Sequence, residues 1–146
     1  MRKFEVITAY KNQGINLPKR ATKYSAGYDI ESAETITINP GEIKKVPTGL
    51  KVAMEYDEAL FVYPRSSLGI KKQLITSNAV GVVDADYYNN EDNEGHLMVP
   101  ILNFGKEPVT IQKGERIAQG IFQKFFTTDD DQANGDRKGG FGSSGV

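Results

Sequence analysis

Turn signals recur roughly every 8–12 residues along this chain, a spacing that admits short strands and almost no helix. Asn39-Pro40-Gly41, Pro47-Thr48-Gly49, Pro64, Asn78 and Lys113-Gly114 each interrupt an apolar or alternating run. Between them lie candidate strands at residues 4–9, 35–38, 43–46, 49–54, 59–63, 74–77, 80–83, 97–104, 109–111 and 117–126. Pro100 cannot donate to a strand ladder, so the segment around it is expected at a sheet edge or with a bulge. Residues 66–72 form the one helix candidate, about two turns long and capped by a serine. The pattern predicts an all-β sandwich or barrel, and no internal repeat divides it.

Composition removes several functions. A chain of 146 residues is one domain of ordinary size and can bury roughly 68–70% of the surface its unfolded form exposes. With no cysteine, a disulfide framework, a zinc knuckle and a thiol nucleophile are excluded. The single histidine, His96, rules out a multi-histidine metal site and reads as a surface residue of a hairpin. Eighteen Lys and Arg against 19 Asp and Glu give a net charge of -1, which lacks the basic face that duplex nucleic acid requires. A small anionic ligand needs only a few convergent cations and stays compatible. No apolar run approaches the roughly 20 residues of a membrane helix. The opening Met1-Arg2-Lys3-Phe4-Glu5-Val6 is charged too early for a secretory signal. A soluble, cytoplasmic protein without nucleic-acid or membrane partners is expected.

Five segments carry polar chemistry. Ser25-Ala26-Gly27-Tyr28-Asp29-Ile30 reads as a tight turn presenting a carboxylate. In Tyr63-Pro64-Arg65-Ser66-Ser67-Leu68-Gly69, an arginine and two hydroxyls meet at a helix start, which suits a phosphate as well as an ordinary cap. Asn78-Ala79-Val80-Gly81-Val82-Val83-Asp84-Ala85-Asp86-Tyr87 delivers Asp84 at the end of an apolar strand, where a carboxylate's basicity can be tuned. Asp86 shares its face if the strand continues, so the pair can also be metal ligands or a solvated strand end. In Lys113-Gly114-Glu115-Arg116-Ile117-Ala118-Gln119, Arg116 can pair with a carboxylate or a phosphate, and Gln119 offers an uncharged donor. Arg137-Lys138-Gly139-Gly140-Phe141-Gly142-Ser143-Ser144-Gly145 combines glycines that let backbone N–H groups reach phosphate with one aromatic face suited to a base.

Taken in this order, the A-G-Y-D-I, P-R-S-S-L-G, G-V-V-D-A-D-Y, G-E-R-I-A-Q and G-G-F-G-S-S-G stretches resemble the five motifs of the homotrimeric dUTPase family, bacterial or phage type, from Ala26 to the last residues. The resemblance implies a jelly-roll or β-barrel domain over residues 1–126 and a flexible C-terminal arm over residues 127–146. It implies Mg²⁺-dependent hydrolysis of dUTP to dUMP and pyrophosphate, limiting uracil in DNA and supplying dUMP for thymidylate synthesis. By the same resemblance Asp84 is the general base. Arg65, Ser66, Ser67 and Gln119 bind phosphates. Asn78, Gly81, Val82, Val83 and Met98 wall a uracil pocket, and Tyr87 packs under the sugar and excludes a 2′-hydroxyl. Asp29 holds waters on a magnesium ion chelated by the triphosphate. Arg137 or Lys138 meets the γ-phosphate, and Phe141, Gly142, Ser143 and Ser144 close over the nucleotide. Three sites, each shared between subunits, are expected.

The chain departs from the motif pattern at Asn89-Asn90-Glu91-Asp92-Asn93-Glu94, an acidic insertion read as a longer hairpin tip beside the uracil pocket. Arg137 also stands one residue nearer Phe141 than in many relatives. A dCTP deaminase-like relative and a regulatory protein of the same fold, acting through a protein partner, are the competing functions.

Overall fold

The computed structural model describes residues 1–140. Eleven strands and one α-helix follow in chain order: β1 (Lys3–Val6), β2 (Tyr28–Glu31), β3 (Ile36–Ile38), β4 (Ile43–Pro47), β5 (Leu50–Ala53), β6 (Glu58–Pro64), α1 (Ser66–Lys72), β7 (Leu74–Thr76), β8 (Gly81–Asp84), β9 (Met98–Asn103), β10 (Val109–Ile111) and β11 (Arg116–Lys124). Every pairing is antiparallel. A four-stranded sheet runs β2-β11-β6-β8 and a three-stranded sheet runs β4-β9-β7, with the pairs β1-β5 and β10-β3 completing the layers. Among the described residues these sheets do not close into a barrel, so the layered, jelly-roll form of the expected all-β fold is the one adopted. No helix there is long and apolar enough to cross a membrane.

Period-two alternation builds the core. Leu50 and Val52 of β5, and Val99, Ile101 and Asn103 of β9, point inward while their neighbours are partly exposed. Leu50, Val52, Val99 and Ile101 join Ile30, Ile38, Val46, Leu60, Leu74, Ile111 and Ile117 in one continuous apolar cluster. The buried Asn103 side chain is fully engaged: its amide donates to the carbonyls of Ile38 (2.9 Å) and Glu107 (2.8 Å), and its oxygen accepts from the Gly105 N–H (2.9 Å).

Three sequence expectations change. Strand β9 is the middle of its sheet, although it contains Pro100. The Pro100 carbonyl accepts from the Ser77 N–H (2.9 Å), just past the end of β7, so the missing donor falls where the neighbouring ladder stops. The stretch read as a turn at residues 25–30 is not one: residues 25–27 are irregular backbone, just past a turn closed by the Ser25 N–H to Thr22 carbonyl bond (3.3 Å). From Tyr28 it is strand, because pairing with β11 overrides a polar local sequence. Helix α1 spans the expected residues, but Arg65 is its N-cap and makes no side-chain capping bond, so Ser66 lies inside the first turn.

Candidate active site

A cavity of about 290 Å³ opens between the two larger sheets. Strand β8 pairs only with β6 among the described residues, and β7 only with β9, so two sheet edges face the opening and the 77–80 turn joins them. Open edges present backbone donors and acceptors that a planar polar ligand can use. Asn78, Gly81, Val82, Val83, Asp84, Tyr87, Met98 and Arg137 line this cavity, so eight of the residues singled out in the sequence converge there. Val62, Thr76, Leu97 and Val99 also line it and carried no sequence signal. They read as ordinary strand residues until the pairing of β6 with β8 and of β7 with β9 is known.

Acidic groups stand at one side of the cavity. Strand β8 ends at Asp84 and the chain turns through a single 3-10 turn, Ala85–Tyr87, so the condition for Asp86 to share the strand face of Asp84 is not met. Both carboxylates nevertheless meet one cation. Arg137 donates from Nη2 to Asp84 (2.5 Å) and from Nε to Asp86 (2.7 Å). The guanidinium is only 11% exposed, while the two carboxylates are about half exposed. It also lies 6.0 Å from the Tyr87 ring, and Gly140 packs so close to that ring that a Cβ would sit 2.5 Å from it. Tyr87 is buried, and that burial raises its hydroxyl above the ordinary range, so the ring presents a neutral phenol.

The second group of candidates gathers elsewhere. Asp29 on β2 lies between Arg65 (3.4 Å) and Arg116 (3.5 Å). It stands opposite Gln119 in the β2–β11 register. Gln119 packs over Gly27, where an added Cβ would come 2.4 Å from its side-chain oxygen, so the A-G-Y-D glycine makes room for this amide. Ser66 and Ser67 follow Arg65 in the first turn of α1. Asp84 pairs with Ala59 at the start of β6, whereas Arg65 follows its last residue, Pro64. Six residues of strand separate these points, about 20 Å at the rise of an extended chain. One chain therefore places its acidic pocket and its cationic cradle at opposite ends of β6. Phe141, Gly142, Ser143 and Ser144 lie outside the described residues.

His96 is buried in a structural setting instead of lying on a hairpin surface. Its Nε2 accepts the Gly49 N–H (2.9 Å), and its ring packs against Tyr10 at 5.4 Å. Burial lowers its pKa, against the opposing pull of Glu34 and Glu94. A proton on Nε2 would also turn this acceptor into a donor facing another donor. In the unfolded chain His96 takes its proton near pH 6.5, earlier than in the folded one, so stability falls as pH drops through that value. Thermal unfolding between pH 5 and 7.5, above the carboxylate range, is expected to show this slope in the wild type and a flatter one in His96→Gln. Equal slopes in the two proteins would refute it.

Among the described residues no group of three or more His, Asp or Glu side chains converges to hold a metal ion directly. A Mg²⁺ ion carried by a ligand's own phosphates needs only a carboxylate to order its waters, and Asp29, one-fifth exposed beside the cationic cradle, fits that part.

An all-β layered fold with an edge-strand cleft that carries a carboxylate pair, and with an arginine–serine segment at the far end of β6, defines a jelly-roll protein. The chain belongs to the dUTPase family, whose model matches residues 13–145. It is 56% identical over 148 residues to the deoxyuridine 5′-triphosphate nucleotidohydrolase of Lactococcus lactis subsp. lactis, covering 100% of this chain and 99% of that one. The crystal structure of dUTPase from Streptococcus mutans is similar with a TM-score of 0.84 and 45% identity, covering 87% of this chain and 98% of the other. A mutant dUTPase from phage phi11 of Staphylococcus aureus, at 20% identity and a TM-score of 0.75 over 92% of this chain and 97% of its own, shares the fold.

Proposed function

We propose that this chain is a dUTP diphosphatase, hydrolysing dUTP to dUMP and pyrophosphate. The observation that carries the reading is the cavity itself, which is walled by the edge of β8 and bears Asp84 at its rim, in a chain 56% identical to a dUTP nucleotidohydrolase.

The reaction follows from the side chains present. Asp84 takes the proton of a water that attacks the α-phosphorus. The new P–O bond forms as the α–β bridging bond breaks, and the electron pair leaves with pyrophosphate. Arg65, Ser66, Ser67 and Gln119 hold phosphate oxygens. Arg137 exchanges its carboxylate partners for the γ-phosphate, with Lys138 beside it in the chain. Asn78, Gly81, Val82, Val83 and Met98 surround uracil. A pocket matched to uracil's donor and acceptor pattern leaves buried groups mispaired with cytosine, a penalty that reaches ~10⁴-fold in such sites. Tyr87 underlies the sugar. Phe141 stacks on the base while Gly142 and Ser143 approach the phosphates. Mg²⁺, when bound by the triphosphate, neutralises charge on the leaving group, and Asp29 orders its waters.

The unit of function is a homotrimer with shared sites, in which residues 1–126 form the folded domain and residues 127–146 act as an arm that closes over nucleotide. The separation of Asp84 and Arg65 along β6 supports this, because one triphosphate cannot meet both in one chain. Ile70, Ile75, Val82, Phe125 and Phe126 are exposed apolar side chains that subunit contact would cover. Sedimentation at assay concentration is expected to show a trimer, and a fully active monomer would remove the shared-site reading. Pyrophosphate release from dUTP, dCTP, dTTP and UTP, with and without Mg²⁺, tests the activity. Strong preference for dUTP supports it, and ammonia release from dCTP would point to the deaminase instead.

A further inference from the structure

The insertion at residues 89–94 is not the tip of a hairpin, because β8 and β9, which flank it, do not pair with each other. It folds into a compact knot of asparagine hydrogen bonds closed onto Tyr87. Asn90 is buried, and its amide donates to the Tyr87 carbonyl (2.9 Å) and to Asn93 Oδ1 (2.8 Å). Its oxygen accepts the N–H groups of Asp92 (3.0 Å) and Asn93 (3.2 Å). Asn93 Oδ1 also accepts the Gly95 N–H (3.1 Å), and the Asn93 carbonyl accepts from His96 N–H (3.0 Å). Gly95 has φ +85°, and a Cβ there would come 2.8 Å from the Tyr87 carbonyl oxygen, so only glycine closes the loop this tightly.

The outer side of the knot is anchored separately. Glu94 accepts from the Thr8 N–H (3.1 Å) and from Lys51 (2.8 Å), and Lys51 donates to Asn89 Oδ1 (2.6 Å). Those bonds hold the Glu94 carboxyl below its usual range. The segment is thus tied to β5 on one side and to Tyr87 on the other.

One contact reaches a side chain that lines the cavity. Asn93 Nδ2 donates to the Tyr87 hydroxyl (2.9 Å), which itself donates to the His96 carbonyl (2.7 Å). The phenol oxygen is held from two sides, by Asn93 of the insertion and by the carbonyl of His96 two residues beyond it. The ring it carries lines the cavity, 8% exposed. A bond to a ring's far end fixes its tilt, because packing alone lets a wall shift by fractions of an ångström.

We propose that Asn93 is a positioning residue that sets the angle of the Tyr87 ring and thereby the rejection of ribonucleotides. The proposal rests on the reading of Tyr87 as the sugar wall. Asn93 touches no nucleotide itself. It acts by denying the ring the small retreat that would admit a 2′-hydroxyl.

The test compares kcat/KM for dUTP and UTP in the full-length wild type, Asn93→Ala, Tyr87→Phe, the double variant and Tyr87→Ala. Asn93→Ala and Tyr87→Phe are each expected to narrow the dUTP-over-UTP preference about tenfold, the scale of one buried hydrogen bond. The double variant is expected to narrow it no further than Tyr87→Phe does, since that change already removes the bond from Asn93 together with the one to the His96 carbonyl. An Asn93→Ala enzyme that loses activity on both substrates equally, at unchanged preference, overturns the proposal and leaves the knot a structural brace. If Tyr87→Ala also leaves the preference unchanged, the sugar-wall reading has failed as well. If Tyr87→Ala abolishes the preference while Asn93→Ala does not alter it, only the positioning role has failed. Should Asn93→Ala fail to fold, Tyr87→Phe, which keeps the ring, decides: an unchanged preference overturns the proposal, and a narrowed one supports a hold on the phenol that Asn93 shares with the His96 carbonyl.

Discussion

Replacing Asp84 by asparagine is expected to lower dUTP hydrolysis by about 10²–10⁴-fold, the usual contribution of a general base, while nucleotide binding stays largely intact. The substitution is nearly isosteric. The side chain is about half exposed at the end of an edge strand, and the largely buried Arg137 keeps Asp86 as its charged partner. Its present partner, the Arg137 guanidinium, can still donate to an amide oxygen, so the contact between residue 84 and the arm survives in weakened form. What an amide cannot do is accept the proton of the attacking water. Pyrophosphate release and calorimetric titration with a non-hydrolysable dUTP analogue separate the two effects. Normal turnover by a folded Asp84→Asn protein would remove Asp84 from the reaction.

The same residue shows where sequence reasoning reached and where it stopped. Strand ends and the helix at Ser66–Lys72 were legible because Pro64, Asn78 and the glycine turns act locally, through φ and missing donors. Asp84 was legible because the strand delivering it is apolar and the motif around it is distinctive. Its distance from Arg65 was not legible. That distance depends on β6 lying between β8 and β11, a long-range order that no local pattern encodes. Strand β2 was hidden for a related reason, since Tyr-Asp-Ile-Glu becomes a strand through its partner β11.

Polar residues misled in the opposite direction. His96 and the acidic insertion resemble surface sequence, yet His96 is buried and Asn90 and Asn93 are consumed by internal bonds. Asparagine clusters are ambiguous because each side chain can replace backbone partners as readily as it can face water. Here every buried side-chain polar atom described finds a hydrogen-bond partner, so polarity alone gave the wrong surface.

Removing residues 127–146 is expected to leave a folded trimer with similar thermal stability and to reduce dUTP turnover by about 10²-fold or more, the scale set by losing the closure that positions a substrate. The apolar core side chains run from Ile7 to Ala118, so the truncation takes no packed residue from it. What it removes is specific to the cavity: the Arg137 bonds to Asp84 and Asp86, and the contact of Gly140 with the Tyr87 ring. Left without that guanidinium, the two carboxylates face a polyanionic substrate with no compensating charge, and repulsion opposes the approach of the phosphates. A triphosphate and these carboxylates compete for the Arg137 cation, so in the proposed reaction the arm transfers Arg137 from protein to substrate. Arg137→Ala in the full-length chain isolates this step and is expected to reproduce much of the truncation's loss, with the deficit in kcat exceeding that in KM. Normal kcat and KM in the truncated protein would show instead that residues 127–146 take no part in the chemistry, and that the Arg137 contacts are an incidental surface pairing.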